Sequence, residues 1–305
     1  MNTFFTETFF KPWHKSCFYI IQLCDCIVSY LQSFLSLIRL HFGAAIFFPG
    51  EKKIRPMSLF LPFFLLAGGL GPLGAEDGAA APKELRDRIS IPILCYHQVA
   101  PKAVGLFELS EDSFKTQLTL LKANGYRSVN SMQLLDLLAG HTQPVGKPIV
   151  LSFDDGYKSV FQYAFPIMKE YGFVGVACVY PEFIGSGGGM SWAQLKELAA
   201  AGWTIECHSS SHANLEAKTP ATESAKQAFF EREIAAPKRL IEEKTGLPVR
   251  FMVWPYGIYT EEAEAFARSC GYVGAMTVDG GANYPGLDTF RVKRQVVYRN
   301  DTTEK

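Results

Sequence analysis

Ile149-Val150-Leu151-Ser152-Phe153-Asp154-Asp155-Gly156 is the stretch on which the fold turns. Its first five residues are apolar except for Ser152 and lack the polar alternation of a half-solvated strand. That is the pattern of a parallel strand covered on both faces. Two carboxylates and a glycine follow at once. An acidic pair before Gly is also an ordinary strand-to-turn signal, and adjacent strand residues point to opposite faces. For both carboxylates to share one pocket, the chain must turn there.

Working outward, strand-like and helix-like patterns alternate. Upstream lie a strand Ile91 to Val99, a helix through Phe114, Leu118 and Leu121 that starts behind Ser110 and stops at Asn124-Gly125, and a helix Met132 to Leu138 opened by Ser131. Downstream come a helix near 160–171, a strand 174–180, a glycine-rich loop 185–189, a helix 192–201 behind Ser191 and a strand 204–207. A long helix 222–245, a strand 250–254, a helix 261–270 and strands 272–278 and 290–298 complete the chain. Repeated β–α units imply parallel strands with helices outside, hence a barrel or a doubly wound sheet. In either architecture ligands gather at the C-terminal edge of the strands. Four separate units deliver polar residues to that edge: His97, the pair Asp154 and Asp155, His208, and the turn Pro255-Tyr256-Gly257.

His208-Ser209-Ser210-Ser211-His212 adds two imidazoles to the two carboxylates. One carboxylate to move protons, with another and two imidazoles to hold a divalent ion, describes a metal-dependent hydrolase; such three-ligand sets leave positions open for water. If a helical turn follows the strand, the i, i+4 spacing puts both rings on one side. The plain alternative is one partly buried and one surface histidine. His97 is a candidate acid because imidazole titrates near neutrality, or else a hydrogen-bonded strand-end histidine. Trp254, Pro255 and Tyr256 form either an aromatic turn or a groove wall for sugar rings. His141 reads as solvated, and neither His14 nor His41 is given a role.

The chain has 305 residues, enough for one α/β domain plus extra segments, and thirty basic side chains balance thirty acidic ones. A neutral chain offers no electrostatic case for a nucleic-acid partner. Hydrophobic residues make up 48%, and much of the excess precedes residue 75. Residues 1–56 form an apolar extension or membrane segment. Residues 57–76 follow Lys52, Lys53 and Arg55 with an apolar run and a small residue, as in a signal peptide or an uncleaved anchor. Residues 77–88 read as an Ala-rich linker to a domain at 89–300. Export to the periplasm or cell surface, with possible membrane association, is the expectation. Of the seven cysteines, Cys95, Cys178 and Cys207 sit in apolar runs and are expected to be small buried hydrophobes; no CxxC spacing is present.

With these residues assembled, the chain resembles the polysaccharide deacetylases, the NodB-homology group of carbohydrate esterases, over roughly residues 90–298. Ser152-Phe153-Asp154-Asp155-Gly156 resembles the family's first motif and His208-Ser209-Ser210-Ser211-His212 its second. Leu94-Cys95-Tyr96-His97-Gln98-Val99 resembles the branch acting on poly-N-acetylglucosamine, where an N-terminal histidine stands in for a missing C-terminal one. Val253 stands where the family's third motif carries Arg, so that motif leaves nothing to orient Asp154. The resemblance implies a distorted (β/α) barrel of about seven parallel strands. It implies zinc, or another divalent ion, on Asp155, His208 and His212, with Asp154 as base and His97 as acid; the oxyanion needs a donor besides the metal, for which the Tyr256 backbone N–H is the candidate. The implied activity is removal of N-acetyl groups from an N-acetylglucosamine polysaccharide. A peptidoglycan or chitin-oligosaccharide deacetylase, a carbohydrate O-acetyl esterase and a non-catalytic glycan-binding domain stand as alternatives.

Overall fold

The computed structural model describes residues 89–301; the expectations for residues 1–56, 57–76 and 77–88 lie outside them. Among the described residues no helix is long and apolar enough to cross a membrane. The principal sheet is parallel throughout. Its central strands are β1 (Ile93–Tyr96), β5 (Lys147–Phe153), β6 (Val176–Val179), β7 (Thr204–Cys207), β8 (Phe251–Val253) and β9 (Gly274–Met276), paired in that order. At the far side β10 (Gln295–Val296) pairs with β1, and a short β4 (Tyr126–Ser128) runs beside the start of β5.

The sheet curls until its edges nearly meet. Val292 donates its N–H to Ala275 O (3.1 Å) and accepts from Thr277 N (2.8 Å) on the β9 side. Three residues later Gln295 and Val296 pair with Leu94 and Cys95. The segment 292–296 therefore leaves one ladder and joins the other, which is why the expected strand 290–298 shrinks to two residues. The result is the distorted barrel.

Side-chain alternation divides each strand between two cores, as strand pleating requires. Val150, Val176, Phe251, Val253 and Met276 fill the barrel interior, whereas Ile149, Leu151, Phe153, Ile205 and Met252 pack outward on the helices. On helix α1 (Glu111–Ala123) Phe114 and Leu118 are fully buried. Each such side chain contributes about 1.5–3 kcal/mol by leaving water. Ser110 caps that helix by accepting from Ser113 N, and Ser191 caps α3 (Trp192–Ala200) with a capping box.

Several boundaries differ from the expectations. The run 91–99 breaks at His97, after which β2 (Gln98–Ala100) turns away to pair with β3 (Glu108–Ser110). Helix α2 (Ser131–Leu138) is capped by Asn130, so Ser131 lies within it. The helices near 160–171 and 222–245 each contain a π turn, at Val160–Ala164 and Glu231–Ala235. Strand Tyr126–Ser128 is not among the expected elements, being too short and polar to show a period. Cys95, Cys178 and Cys207 are buried and free, and Cys270 is free as well.

Candidate active site

Strand parity delivers most of the site. On β5 the residues facing the interior are Val150 and Ser152, and Asp154 continues that series at the mouth. Asp155 then adopts φ 70° and Gly156 φ 82°. This left-handed turn breaks the alternation, so the second carboxylate also reaches the cavity. A non-glycine residue at positive φ is uncommon and is held only where its surroundings demand it.

Asp154 is 3% exposed. Arg294 grips it with two hydrogen bonds, Nη1 to Oδ1 at 2.7 Å and Nη2 to Oδ2 at 2.9 Å. Cys95 Sγ lies 3.3 Å from Oδ2. Burial on its own would raise the Asp154 pKa, but the charge and hydrogen bonds of Arg294 outweigh it and hold the carboxyl well below the usual carboxylate range. Arg294 is itself buried, on the segment that closes the barrel, with Nε donating to Thr277 O (3.0 Å). This residue was missed in the sequence. The one available signal was Val253 in place of Arg, which requires a cation from elsewhere without saying which.

Asp155 Oδ1 is buried and has no hydrogen-bond donor. It faces His208 Nε2 at 3.7 Å and His212 Nε2 at 3.3 Å. One donor atom from each of Asp155, His208 and His212 lies within 4.8 Å of the others. A buried carboxylate oxygen without a proton donor, opposite two imidazole nitrogens, fits a divalent cation. Burial, and then the neighbouring charge of Asp154, pushes the Asp155 carboxyl up.

The two imidazoles do not meet on a helical turn. Residues 208–212 form an irregular loop in which Ser209 (φ 63°) and His212 (φ 58°) are both left-handed. The expected i, i+4 stacking is therefore corrected: the loop doubles back toward the sheet edge and brings the ring centroids to 4.8 Å. His208 Nδ1 lies 2.7 Å from Val253 O. A carbonyl can only accept, so Nδ1 carries the proton and Nε2 presents its lone pair to Asp155. His212 Nδ1 lies 3.1 Å from the Tyr256 hydroxyl. Such outer partners fix ring orientation at metal sites. Burial pushes His208 down to about 4 and lowers His212 too, leaving both neutral at physiological pH, the form that binds metal.

His97 borders the same cavity, with a ring nitrogen within 4.8 Å of an Asp154 oxygen. Its ring packs on Phe107 (4.7 Å), which packs on Tyr298 (5.5 Å). The expected sugar-facing wall of Trp254, Pro255 and Tyr256 is mostly inaccessible. Trp254 and Pro255 are buried, Trp254 stacking on Tyr259 at 5.2 Å, because the tight turn at Tyr256 (φ 61°) folds them under it. Tyr256 alone is open, 57% exposed. The cavity holds about 480 Å³. A second, of about 1010 Å³, adjoins it across His212 and Tyr256.

Residues 141–275 match the family model described as polysaccharide deacetylase. Those residues belong to a polysaccharide deacetylase domain. The Bacillus subtilis (strain 168) protein YxkH is 27% identical over 207 residues, 68% of this chain and 71% of its own. The poly-β-1,6-N-acetyl-D-glucosamine N-deacetylase of Staphylococcus epidermidis is 21% identical over 274 residues, covering 83% of this chain and 94% of that protein. Among solved structures, IcaB from Ammonifex degensii superposes with a TM-score of 0.62 at 29% identity, over 71% of this chain and 93% of that one. The deacetylase domain is thus a hydrolase-family domain, and Asp155, His208 and His212 are its candidate metal-binding group.

Proposed function

We propose that this domain removes N-acetyl groups from the N-acetylglucosamine units of an exported polysaccharide, with zinc as the metal and the β-1,6-linked polymer as the first candidate substrate. One observation carries the reading: the orphaned Asp155 oxygen and two oriented imidazoles converge beside an aspartate clamped by arginine, at the floor of an open cavity. The naming of the Staphylococcus epidermidis relative supports the choice of glycan. The adjoining larger cavity gives room for sugar units beyond the one being cleaved, as a polymer requires.

Asp155, His208 and His212 would hold the metal. When bound, it supplies Lewis-acid chemistry, acidifying water and polarising the acetamide carbonyl. Asp154, ionised throughout the working pH range, receives the proton of the attacking water; Arg294 keeps its carboxylate aimed into the cavity. His97, protonated, delivers a proton to the sugar nitrogen as the C–N bond breaks, giving acetate and a free amine. The Tyr256 backbone N–H is the candidate donor to the developing oxyanion. Tyr256 also offers the exposed ring on which a sugar can stack. The N-terminal residues would direct export and hold the enzyme at the cell envelope.

The test is acetate release from β-1,6-linked N-acetylglucosamine oligomers, chitin oligomers and peptidoglycan, with and without chelator. We expect release from the first, its loss in chelator and its return with zinc. Release that persists in excess chelator, or no release from any of the three with zinc present, refutes the proposal.

A further inference from the structure

The loop that carries both imidazoles is strained, with two left-handed residues among its five, and something outside it has to hold it. Ser211, the residue before His212, is pinned from a distant helix. Its N–H donates to Glu233 Oε2 at 3.1 Å, and its hydroxyl lies 3.0 and 3.1 Å from the two oxygens of the same carboxylate. Glu233 is 1% exposed. A carboxylate so deeply buried stands only where donors satisfy it. Arg232 Nε supplies the remaining one at 3.0 Å.

The π turn at Glu231–Ala235 explains how Glu233 gets there. One extra residue in a turn shifts the face of the residues after it by about 100° relative to an uninterrupted α-helix, and π turns recur at functional sites. A simple surface ion pair with Arg232 would need no burial, since the arginine side chain is 62% exposed. The buried carboxylate is directed at the loop.

We infer that Glu233 is a positioning residue for the metal-binding loop: by fixing Ser211 it holds His212 in its left-handed conformation with Nε2 toward Asp155. This rests on the metal-site reading proposed above. Arg232, sharing the carboxylate and lying over the Phe229 ring (5.2 Å), forms part of the wall of the adjoining cavity on the same side. Glu233 thus ties that wall to the loop.

The test uses the full chain with Glu233→Ala, Glu233→Gln and Ser211→Ala. It measures zinc affinity by competition with a chromophoric chelator, the thermal midpoint of the zinc-free protein, and kcat and KM at saturating zinc. Loss of an outer partner at a metal site weakens binding by roughly 10–100-fold. We expect a loss of that size in Glu233→Ala, with kcat falling more than KM changes. Glu233→Gln keeps an oxygen for the Ser211 N–H and should recover most of the affinity; Ser211→Ala, which keeps the N–H, should lose only several-fold. A folded Glu233→Ala that melts earlier but binds zinc as the wild type does would overturn the inference. If Glu233→Ala does not fold, wild-type zinc affinity in both other variants overturns it instead. Wild-type protein that binds no zinc would mark failure of the underlying metal reading, a separate result.

Discussion

Arg294 and Asp154 are buried together and oppositely charged, and each makes the other tolerable. Burial opposes ionisation of Asp154, and the guanidinium does most to reverse that preference. Removing one partner of such a pair costs about 3–5 kcal/mol, because the other charge is left stranded. Arg294→Met should therefore destabilise the protein by that order in chemical denaturation. It should also lower turnover by on the order of a hundredfold, the usual scale for a mispositioned proton acceptor. The pH dependence has a definite sign. With its pKa depressed, Asp154 contributes stability above the ordinary carboxylate range, and this is lost as pH falls. In Arg294→Met burial loses its main opponent, the pKa rises, and the acid limb of the pH–rate profile should move toward neutrality. An unmoved acid limb would show that Arg294 does not set the state of Asp154.

Between elements, Glu206 does for the base of the barrel what Arg294 does for its mouth. From β7 its Oε2 accepts from Arg250 N (2.8 Å) and Phe251 N (2.7 Å), and its Oε1 accepts from Ser131 Oγ, joining β8 and helix α2. Burial dominates these bonds and pushes its pKa up to about 7. A carboxyl that binds its proton more tightly when folded adds stability below the unfolded value of 4.5, and this is lost as pH rises through about 7. His208 works the other way: burial lowers it to about 4, so acidification through the ordinary histidine range costs stability. Glu206→Gln isolates the first effect. The variant should gain on the wild type between pH 5 and pH 8 by on the order of 3 kcal/mol in urea denaturation, and a constant difference would remove the assignment. The turn after β8 makes a second demand. Gly257 has φ 72°, and a Cβ there would sit 2.9 Å from Val278 N and 2.5 Å from its Cγ2. Gly257→Ala should cost roughly 1–3 kcal/mol and disturb Tyr256, read as a lower melting temperature with a raised KM.

Across the whole molecule, the proposed ligands come from the ends of β5 and β7, and bound zinc would cross-link the two. Saturation at a hundred times its dissociation constant adds about 2.7 kcal/mol, so the thermal midpoint should rise with zinc and fall back with chelator. A midpoint indifferent to both would speak against a built metal site. The apolar run 149–153, the strand 204–207 and the caps at Ser110 and Ser191 were legible because local periodicity and side-chain capping depend on near neighbours. The pairing of Asp154 with Asp155 and of His208 with His212 was legible for a related reason: each pair lies within one short segment. What joins those segments was not legible. Arg294 lies 140 residues from Asp154 and looks like any other cation in its own stretch. Glu233 reaches Ser211 from another helix through a π turn that no periodicity announces, and Trp254 and Pro255 are buried by a left-handed turn after them. The sequence alone determined the alternating strands and helices, which follow from spacing along the chain, and the resemblance of its motifs named the metal-binding candidates. Only the tertiary structure decided which charge holds Asp154, how the second imidazole turns back and which aromatic faces solvent, because each depends on groups that meet only when the barrel closes.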